Sequence, residues 1–229
     1  MKKIILLSIF ALLFSSCKQD TENSADVTKP EEIKKTEEKI TIITRIAKAY
    51  GYESWHKVDK VKFSFVVNPG EKEMLRRWEW DIRSDKVTLK KENDSMTYTR
   101  GDISDEFINT DKAFVNDSFW FLFPYHLVWD DIEYEVVEKS TSPINKKETT
   151  KLIVKYPDEG GYTPGDKYEV YVNQDYYIEE WTYHPKGQDE PALANTFEDL
   201  TDFNGIKINK VHNNPDIGFQ LNFRDISFE

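Results

Sequence analysis

Cys17 is the only cysteine in this 229-residue chain, and its thiol is the side chain best placed for a covalent modification. A single cysteine excludes intramolecular disulfides and metal sites built from several thiolates. The residues before it are ordered by type: Lys2-Lys3, an apolar stretch from Ile4 to Phe14, and the small pair Ser15-Ser16. A basic start, a short apolar core and small residues at the end are typical of an export signal.

Because Cys17 directly follows Ser15-Ser16, the segment resembles the bacterial lipobox. That resemblance implies cleavage before the cysteine and acylation of its thiol and new amino terminus. An ordinary signal peptide with a chance cysteine is the alternative. A membrane-spanning helix is disfavoured, because the apolar stretch is far shorter than the ~20 residues that cross a bilayer. We predict a signal peptide at residues 1–16, lipidation at Cys17, and a lipid-anchored protein of the bacterial cell envelope, at the outer membrane on its periplasmic or surface face.

Other side chains that could catalyse a reaction or bind a metal are scattered. The acidic run from Asp130 to Glu135 alternates with apolar residues, as on the solvated face of a strand, and this disfavours a pair of catalytic carboxylates. No nucleophile motif and no phosphate-binding glycine loop occurs. We therefore predict no catalytic residue, no metal site and no cofactor. The four histidines lie far apart and share no metal-ligand spacing: His56, His126, His184 and His212.

The net charge of the chain restricts its partners, and its aromatic content indicates what stabilises the fold. The chain carries 31 basic and 42 acidic residues, for a net charge of −11. An acidic surface repels phosphate backbones, so no nucleic-acid partner is expected. Without disulfides the fold must be stabilised by its core. The 14 Phe, 6 Trp and 12 Tyr residues supply apolar area for that core, and burial contributes about 25 cal/mol per Å².

The chain after Cys17 begins with a polar stretch that has no periodicity, from Lys18 to Lys29. We predict a flexible tether at residues 17–38. A helix is predicted from Pro30 to Tyr50, because proline and acidic residues suit a first turn and apolar residues then recur at helical spacing. Gly51 is a natural stop for this helix.

After the helix the apolar period changes to two, which predicts an antiparallel sheet with one apolar face. Phe63 and Phe65 are two residues apart, as are Trp78 and Trp80, so each pair shares a face. The glycine-rich stretch Gly160–Gly165 is predicted to be a hairpin loop. The pattern predicts about ten strands, one substantial helix and a lid-like insertion.

The aromatic run Phe119–Trp129 interrupts the strand pattern. Three interpretations remain open: a buried plug that closes the sheet, the lining or lid of an apolar ligand cavity, or an exposed patch for a membrane or a partner. Pro124 is expected to end any helix in this run, which excludes a continuous membrane-spanning segment.

The second half of the chain carries a strand, a turn, a strand ending in aromatic residues, and a strand that reaches Asn-Gly-Ile. These elements are Gly165–Val172, Asp175–Ile178, Glu180–Tyr183 and Phe197–Ile206. The arrangement resembles the LolA/LolB/LppX-like superfamily, which comprises periplasmic carriers and receptors of lipoproteins and lipids, over about residues 39–229. The resemblance implies a mainly β fold: a curved antiparallel half-open barrel with an N-terminal helix and a short helical lid, enclosing an apolar cavity for acyl chains.

The predicted anchor sets this chain apart from a soluble carrier and favours a receptor or a lipid sensor. We expect a single LolA-like β domain at residues 39–229 that binds a lipid or the acyl chains of lipoproteins, without enzymatic activity. The alternatives are an interaction or structural subunit of an envelope complex with a filled core, and a carbohydrate-active enzyme. The expected partners are the membrane through acylated Cys17, an apolar ligand, and an envelope protein. The predicted cavity residues are aromatic: Phe63, Phe65, Trp78, Trp80, Phe119, Phe121, Phe123, Trp129 and Trp181.

Overall fold

The computed structural model describes residues 40–68, 70, 72–162 and 164–229. The predicted signal peptide, Cys17 and the predicted tether lie outside these residues, as does the predicted helical segment Pro30–Lys39. The remaining part of the first helix is present as α1 (Ile42–Ala49), whose N-cap Thr41 accepts a hydrogen bond from the Thr44 N–H. A 3₁₀ segment, Tyr52–Lys57, follows it.

Gly51 separates α1 from the 3₁₀ segment, and no other residue type fits there. Its φ is +87°, and an added Cβ would lie 1.7 Å from the carbonyl oxygen of Gly205. The close approach brings α1 against β11, where the Lys207 N–H donates to the Tyr50 carbonyl at 2.9 Å. The predicted stop is therefore also a packing contact between the helix and the sheet.

The described residues form twelve strands, two more than the sequence pattern indicates. In chain order they are β1 (Lys60–Val67), β2 (Met74–Asp81), β3 (Lys86–Lys90), β4 (Ser95–Thr99), β5 (Glu133–Thr141), β6 (Glu148–Lys155), β7 (Lys167–Val172), β8 (Ile178–His184), β9 (Leu193–Thr196), β10 (Glu198–Phe203), β11 (Ile206–Asn214) and β12 (Phe219–Phe228). The mainly β class is confirmed.

The strands make two antiparallel sheets that do not close on each other. The seven-stranded sheet has the order β10-β11-β12-β1-β2-β3-β4, and the five-stranded sheet has the order β5-β6-β7-β8-β9. On one side the chain passes directly from β9 to β10, and side-chain bonds such as Asn213 N to Thr196 Oγ1 at 3.1 Å link the sheets. On the other side β4 and β5 are the edge strands of the two sheets among the described residues. The two sheets thus form a half-open barrel.

The shared faces predicted for the early strands are present in the structure. Phe63 lies opposite Trp78 in the β1–β2 pair, and the side chains of Phe63, Phe65 and Trp78 are buried. Trp80 is half-buried and packs on Phe114 at 5.6 Å between ring centroids. The alternation of apolar residues therefore identifies the face that is turned toward the core.

A long helix, α2 (Ile108–Trp129), connects β4 to β5 and lies in the interior. The prediction that Pro124 ends any helix is wrong, because the helix continues to Trp129. Its break lies at Leu122, with φ −119° and ψ 23°. The break makes Phe123 and Pro124 the start of a second helical segment, where a missing backbone N–H is tolerated. In the described part of the chain, no helix combines the length and hydropathy that a bilayer crossing requires.

Candidate apolar ligand cleft

The central part of α2 fills the interior of the half-open barrel. Phe121 stacks on Phe63 of β1 with ring centroids 4.4 Å apart, and Phe123 meets Trp181 of β8 edge-on at 4.7 Å. Phe121, Phe123 and Leu127 are buried. The enclosed space beside this packing, next to His212, measures only about 10 Å³. Of the three interpretations of the aromatic run, the buried plug describes this segment.

Two buried aspartates hold α2 on the seven-stranded sheet. Asp117 accepts hydrogen bonds from Arg76 Nε at 2.6 Å and from Trp78 Nε1 at 2.8 Å. Asp111, one and a half turns earlier, accepts from Tyr98 Oη at 3.0 Å and from Arg100 Nε at 2.9 Å. Because each carboxylate is paired with an arginine and further donors, its burial is compensated. These bonds fix the rotation of the helix about its axis.

The opposite face of the first half of α2 leaves an apolar cleft against the five-stranded sheet. The cleft has a volume of about 260 Å³, slightly below the range of about 300–1,000 Å³ that is typical of small-molecule sites. We call it the aromatic cleft. Its walls are Lys112, Val115, Asn116, Phe119 and Trp120 of α2, Tyr162 of the β6–β7 loop, Tyr168 of β7, Trp181 and Tyr183 of β8, and Leu193 of β9.

Local periodicity explains why these side chains meet. Residues 112, 115, 116, 119 and 120 recur at spacings of three and four, and so share one face of α2. Trp181 and Tyr183 are two residues apart on β8, and Tyr168 lies opposite Tyr183 in the β7–β8 pair. Trp120 closes the inner end, with its ring centroid 4.6 Å from that of Trp181.

A second, more polar groove opens between the two sheets and shares a wall with the aromatic cleft. It has a volume of about 600 Å³, and we call it the mouth groove. Val115, Phe119 and Tyr162 line both spaces. The mouth groove also contacts Trp80, Arg100, Phe114, Ser118, Leu122, His126, Trp129, Asp130, Asp131, Tyr156, Pro157, Glu159, Gly160, Gly161 and Pro164.

Tyr162 forms a bridge over the shared wall. Its hydroxyl donates to Asp111 Oδ2 at 2.7 Å, which ties the β6–β7 loop to α2. The bond to the carboxylate raises the pKa of Tyr162, because ionisation would place two negative charges side by side. The loop is the predicted hairpin connection, since β6 and β7 pair directly. Its contact with a buried carboxylate is not visible in the sequence pattern.

A larger open groove, of about 690 Å³, lies along the start of β5 and the loop before β7. Its walls mix carboxylates, lysines, glycines and prolines, among them Asp131, Glu133 and Lys155. In the described residues no group of three potential ligands could hold a metal ion. This groove lacks the continuous apolar surface of the aromatic cleft.

The predicted cavity residues fall into three groups in the structure. Phe119 and Trp181 line the aromatic cleft, while Phe119, Trp80 and Trp129 line the mouth groove. The other five belong to the packed core and line neither space: Phe63, Phe65, Trp78, Phe121 and Phe123. The role of all nine at a ligand site stays a prediction.

Sequence reasoning missed several walls of the cleft, chiefly Trp120, Tyr168, Tyr183 and Leu193. In the predicted strands Tyr168 is two residues from Val170 and Tyr183 is two residues from Trp181, so each pair shares a face and the strand period contained the signal for them. For Leu193 no such signal exists, because β9 has only four residues and follows a long loop.

No protein-family model matches the sequence, and no curated protein matches it significantly. Among solved structures, the chain is similar to a DUF1329 family protein from Desulfovibrio piger, with a TM-score of 0.42 and 12% identity over 82% of this chain and 90% of that one. It is similar to a putative outer membrane lipoprotein-sorting protein domain from Vibrio parahaemolyticus, with a TM-score of 0.41 and 13% identity over 80% and 91%. It is also similar to the lipoprotein LppX from Mycobacterium tuberculosis, with a TM-score of 0.29 and 9% identity over 81% and 94%.

Proposed function

We propose that this chain is an exported, lipid-anchored protein of the cell envelope that binds one acyl chain in the aromatic cleft, without catalysing a reaction. The observation that carries the proposal is the cleft itself, an apolar space of about 260 Å³ next to a core that is otherwise filled. Its walls are aromatic rings and aliphatic side chains, which contact methylene groups without specific geometry. Such a lining suits a hydrocarbon chain.

The size of the cleft favours a single chain over a whole diacyl lipid. Each methylene group removed from water contributes about 0.8 kcal/mol. Association costs at least about 4 kcal/mol in lost translational and rotational freedom. A chain of roughly ten carbons that is mostly buried gains about 8 kcal/mol, so after the cost of association its dissociation constant is expected to be about millimolar or weaker.

The anchor belongs to the same proposal. Residues 1–16 act as the signal peptide, Cys17 carries the acyl groups, residues 17–38 form the tether, and residues 39–229 form the ligand-binding domain. Membrane fractionation of the Cys17→Ser variant tests the anchor. The variant should leave the membrane fraction, because stable anchoring needs more than one acyl chain. Full retention of the variant in membranes would contradict the lipidation.

Filling the cleft tests the ligand site. Leu193 lies on β9, an edge strand, and lines the cleft. In a Cys17→Ser background, Leu193→Trp should lower the affinity for the neutral fluorescent probe Nile red at least tenfold. Leu200→Trp is the matched control, because Leu200 is 39% exposed on the other sheet's edge strand β10. The control should bind like the parent protein.

The alternative is an interaction subunit of an envelope complex, and the packing of Phe121 and Phe123 at the barrel centre favours it. A protein of this kind needs no ligand cavity. If the parent protein does not bind Nile red at high micromolar probe, acyl-chain binding is wrong and this alternative replaces it.

A further inference from the structure

We infer that the acyl ligand of the aromatic cleft is an anionic single-chain amphiphile, whose head group pairs with Lys112. The inference rests on the proposed function and specifies the chemistry of its ligand. The shared chemistry is one hydrocarbon chain with a carboxylate or phosphate head. A free fatty acid and a chain that ends in a phosphate monoester both satisfy it.

Lys112 is placed where a head group would leave the cleft. Of the described residues that line the aromatic cleft, it is the only one with a charged side chain. It lies on the exposed side of α2, while Trp120 and Trp181 form the inner end two turns away. Its Nζ lies 5.8 Å from the centroid of the Tyr162 ring, which orients the ammonium group over the bridge.

The ammonium group of Lys112 makes no ion pair or hydrogen bond with the other described residues. Three lysines in or next to β6 of the five-stranded sheet are paired with carboxylates: Lys147 with Glu179 at 2.5 Å, Lys151 with Glu169 and Lys155 with Glu135, both at 3.2 Å. This lysine is thus available to an external anion.

The neighbouring polar groups do not replace Lys112 as the partner of a head group. The buried carboxylate of Asp111 is occupied by Arg100, Tyr98 and Tyr162, and so does not pair with the lysine. The hydroxyl of Tyr183 donates to Asp166 Oδ2 at 2.9 Å. The Asn116 amide donates to Asp117 Oδ1 at 3.0 Å. A charged donor at the lip of an apolar cleft, with the hydroxyls of Tyr162 and Tyr183 already engaged, points to an anion as the head.

The test compares three ligands with the same chain and different heads. Decanoate, decyl phosphate and decanol are titrated at pH 8 and low salt against Nile red bound to the full-length Cys17→Ser protein. Both anions should bind roughly two- to fivefold more tightly than decanol, since an exposed ion pair contributes modestly. The preference should shrink at high salt, because the charges are screened. The tighter of the two anions identifies which head the site favours.

Lys112→Gln should abolish the preference for anions while leaving the affinity for decanol unchanged. Lys112→Glu should reverse the preference, so that decanol binds more tightly than either anion. Lys57→Gln is the control, because it removes the same charge from an exposed residue outside the cleft. Equal affinity of the parent protein for decanoate and decanol would overturn the head-group inference and leave acyl binding intact. A preference that survives in Lys112→Gln would overturn it as well. Failure of the parent protein to bind Nile red and all three ligands would instead overturn the proposed function.

Discussion

Tyr162 and Asp111 connect a surface loop to the interior helix through one hydrogen bond, from the tyrosine hydroxyl to Oδ2 at 2.7 Å. Tyr162 is 43% exposed, whereas Asp111 is 1% exposed. The bond spans the ridge between the aromatic cleft and the mouth groove, because Tyr162 is part of both walls.

Tyr162→Phe should loosen the β6–β7 loop with little effect on global stability. Asp111 keeps its bonds to Tyr98 and Arg100, so the free energy of unfolding should fall by only about 1 kcal/mol. Hydrogen exchange measured by mass spectrometry should become faster in the peptide covering residues 157–165. Tyr176→Phe, which loses the hydroxyl that accepts from Arg45 at 2.6 Å, should leave this peptide unchanged. Unchanged exchange in Tyr162→Phe would show that the bridge does not hold the loop.

Asp117→Asn should destabilise the protein strongly. Asp117 is buried and its carboxylate accepts from Arg76, Trp78 and Asn116. The neutral amide cannot compensate the charge of the Arg76 guanidinium, which is largely buried, so we expect the free energy of unfolding to fall by about 3 kcal/mol. Asp59→Asn, in the exposed pair with Arg83, should cost under about 1 kcal/mol. Urea unfolding of both variants measures the difference, and equal losses would contradict the anchoring role of Asp117.

Asp111 and Asp117 are an example of what could not be predicted from the sequence. The alternation of Phe63, Phe65 and Trp78 is a local signal, and it predicts their face because strand geometry has a fixed period of two. Asp111 and Asp117 make the first half of α2 look polar and mixed in sequence. Their partners Arg100 and Arg76 are 11 and 41 residues away in the chain, and no local pattern links them. The burial of this helix therefore depends on long-range pairing.

Pro124 and the cleft also depend on packing between distant parts of the chain. Proline disfavours a helix interior by roughly 3 kcal/mol, which is why the sequence predicts a stop. The packing of Phe121 and Phe123 on both sheets keeps the chain helical beyond it. The cleft exists because α2 packs tightly against one sheet through its aspartates and less tightly against the other. That difference is a property of the assembled layers, and it could not be predicted from periodicity.

His212 should make stability fall as the pH is lowered from neutral. It is buried against Trp120, Phe197 and Phe223, and its Nδ1 lies 3.1 Å from the Thr196 carbonyl oxygen. Burial lowers its pKa from 6.5 to about 4. Between these values the unfolded chain binds a proton that the folded protein does not, so the free energy of unfolding decreases with falling pH.

Protonation of His212 in the unfolded chain should lower the free energy of unfolding at pH 5 by at most about 2 kcal/mol relative to pH 7.5. The pKa values of Glu169 and Glu179 are lowered from 4.5 by hydrogen bonds that together outweigh the effect of burial. The stability that these two carboxylates contribute is therefore lost chiefly below pH 5. His212→Gln keeps a donor for the Thr196 carbonyl and cannot titrate. Urea unfolding at both pH values should show a smaller loss for this variant than for the parent. An identical loss would mean that His212 does not stay neutral in the fold.

Phe121→Glu tests whether the aromatic run is a plug. Phe121 is 2% exposed and packs between Phe63 and Phe223, with ring centroids 4.4 and 4.9 Å away. Removing an aromatic side chain from a core costs about 3–5 kcal/mol, and burying a carboxylate adds several kcal/mol more. The variant should lose its cooperative thermal transition, as followed by near-ultraviolet circular dichroism. Asn109→Glu adds the same charge on an exposed position of α2 and should melt like the parent. A Phe121→Glu protein that still unfolds cooperatively near the parent temperature would show that the centre of the barrel has room for a polar group.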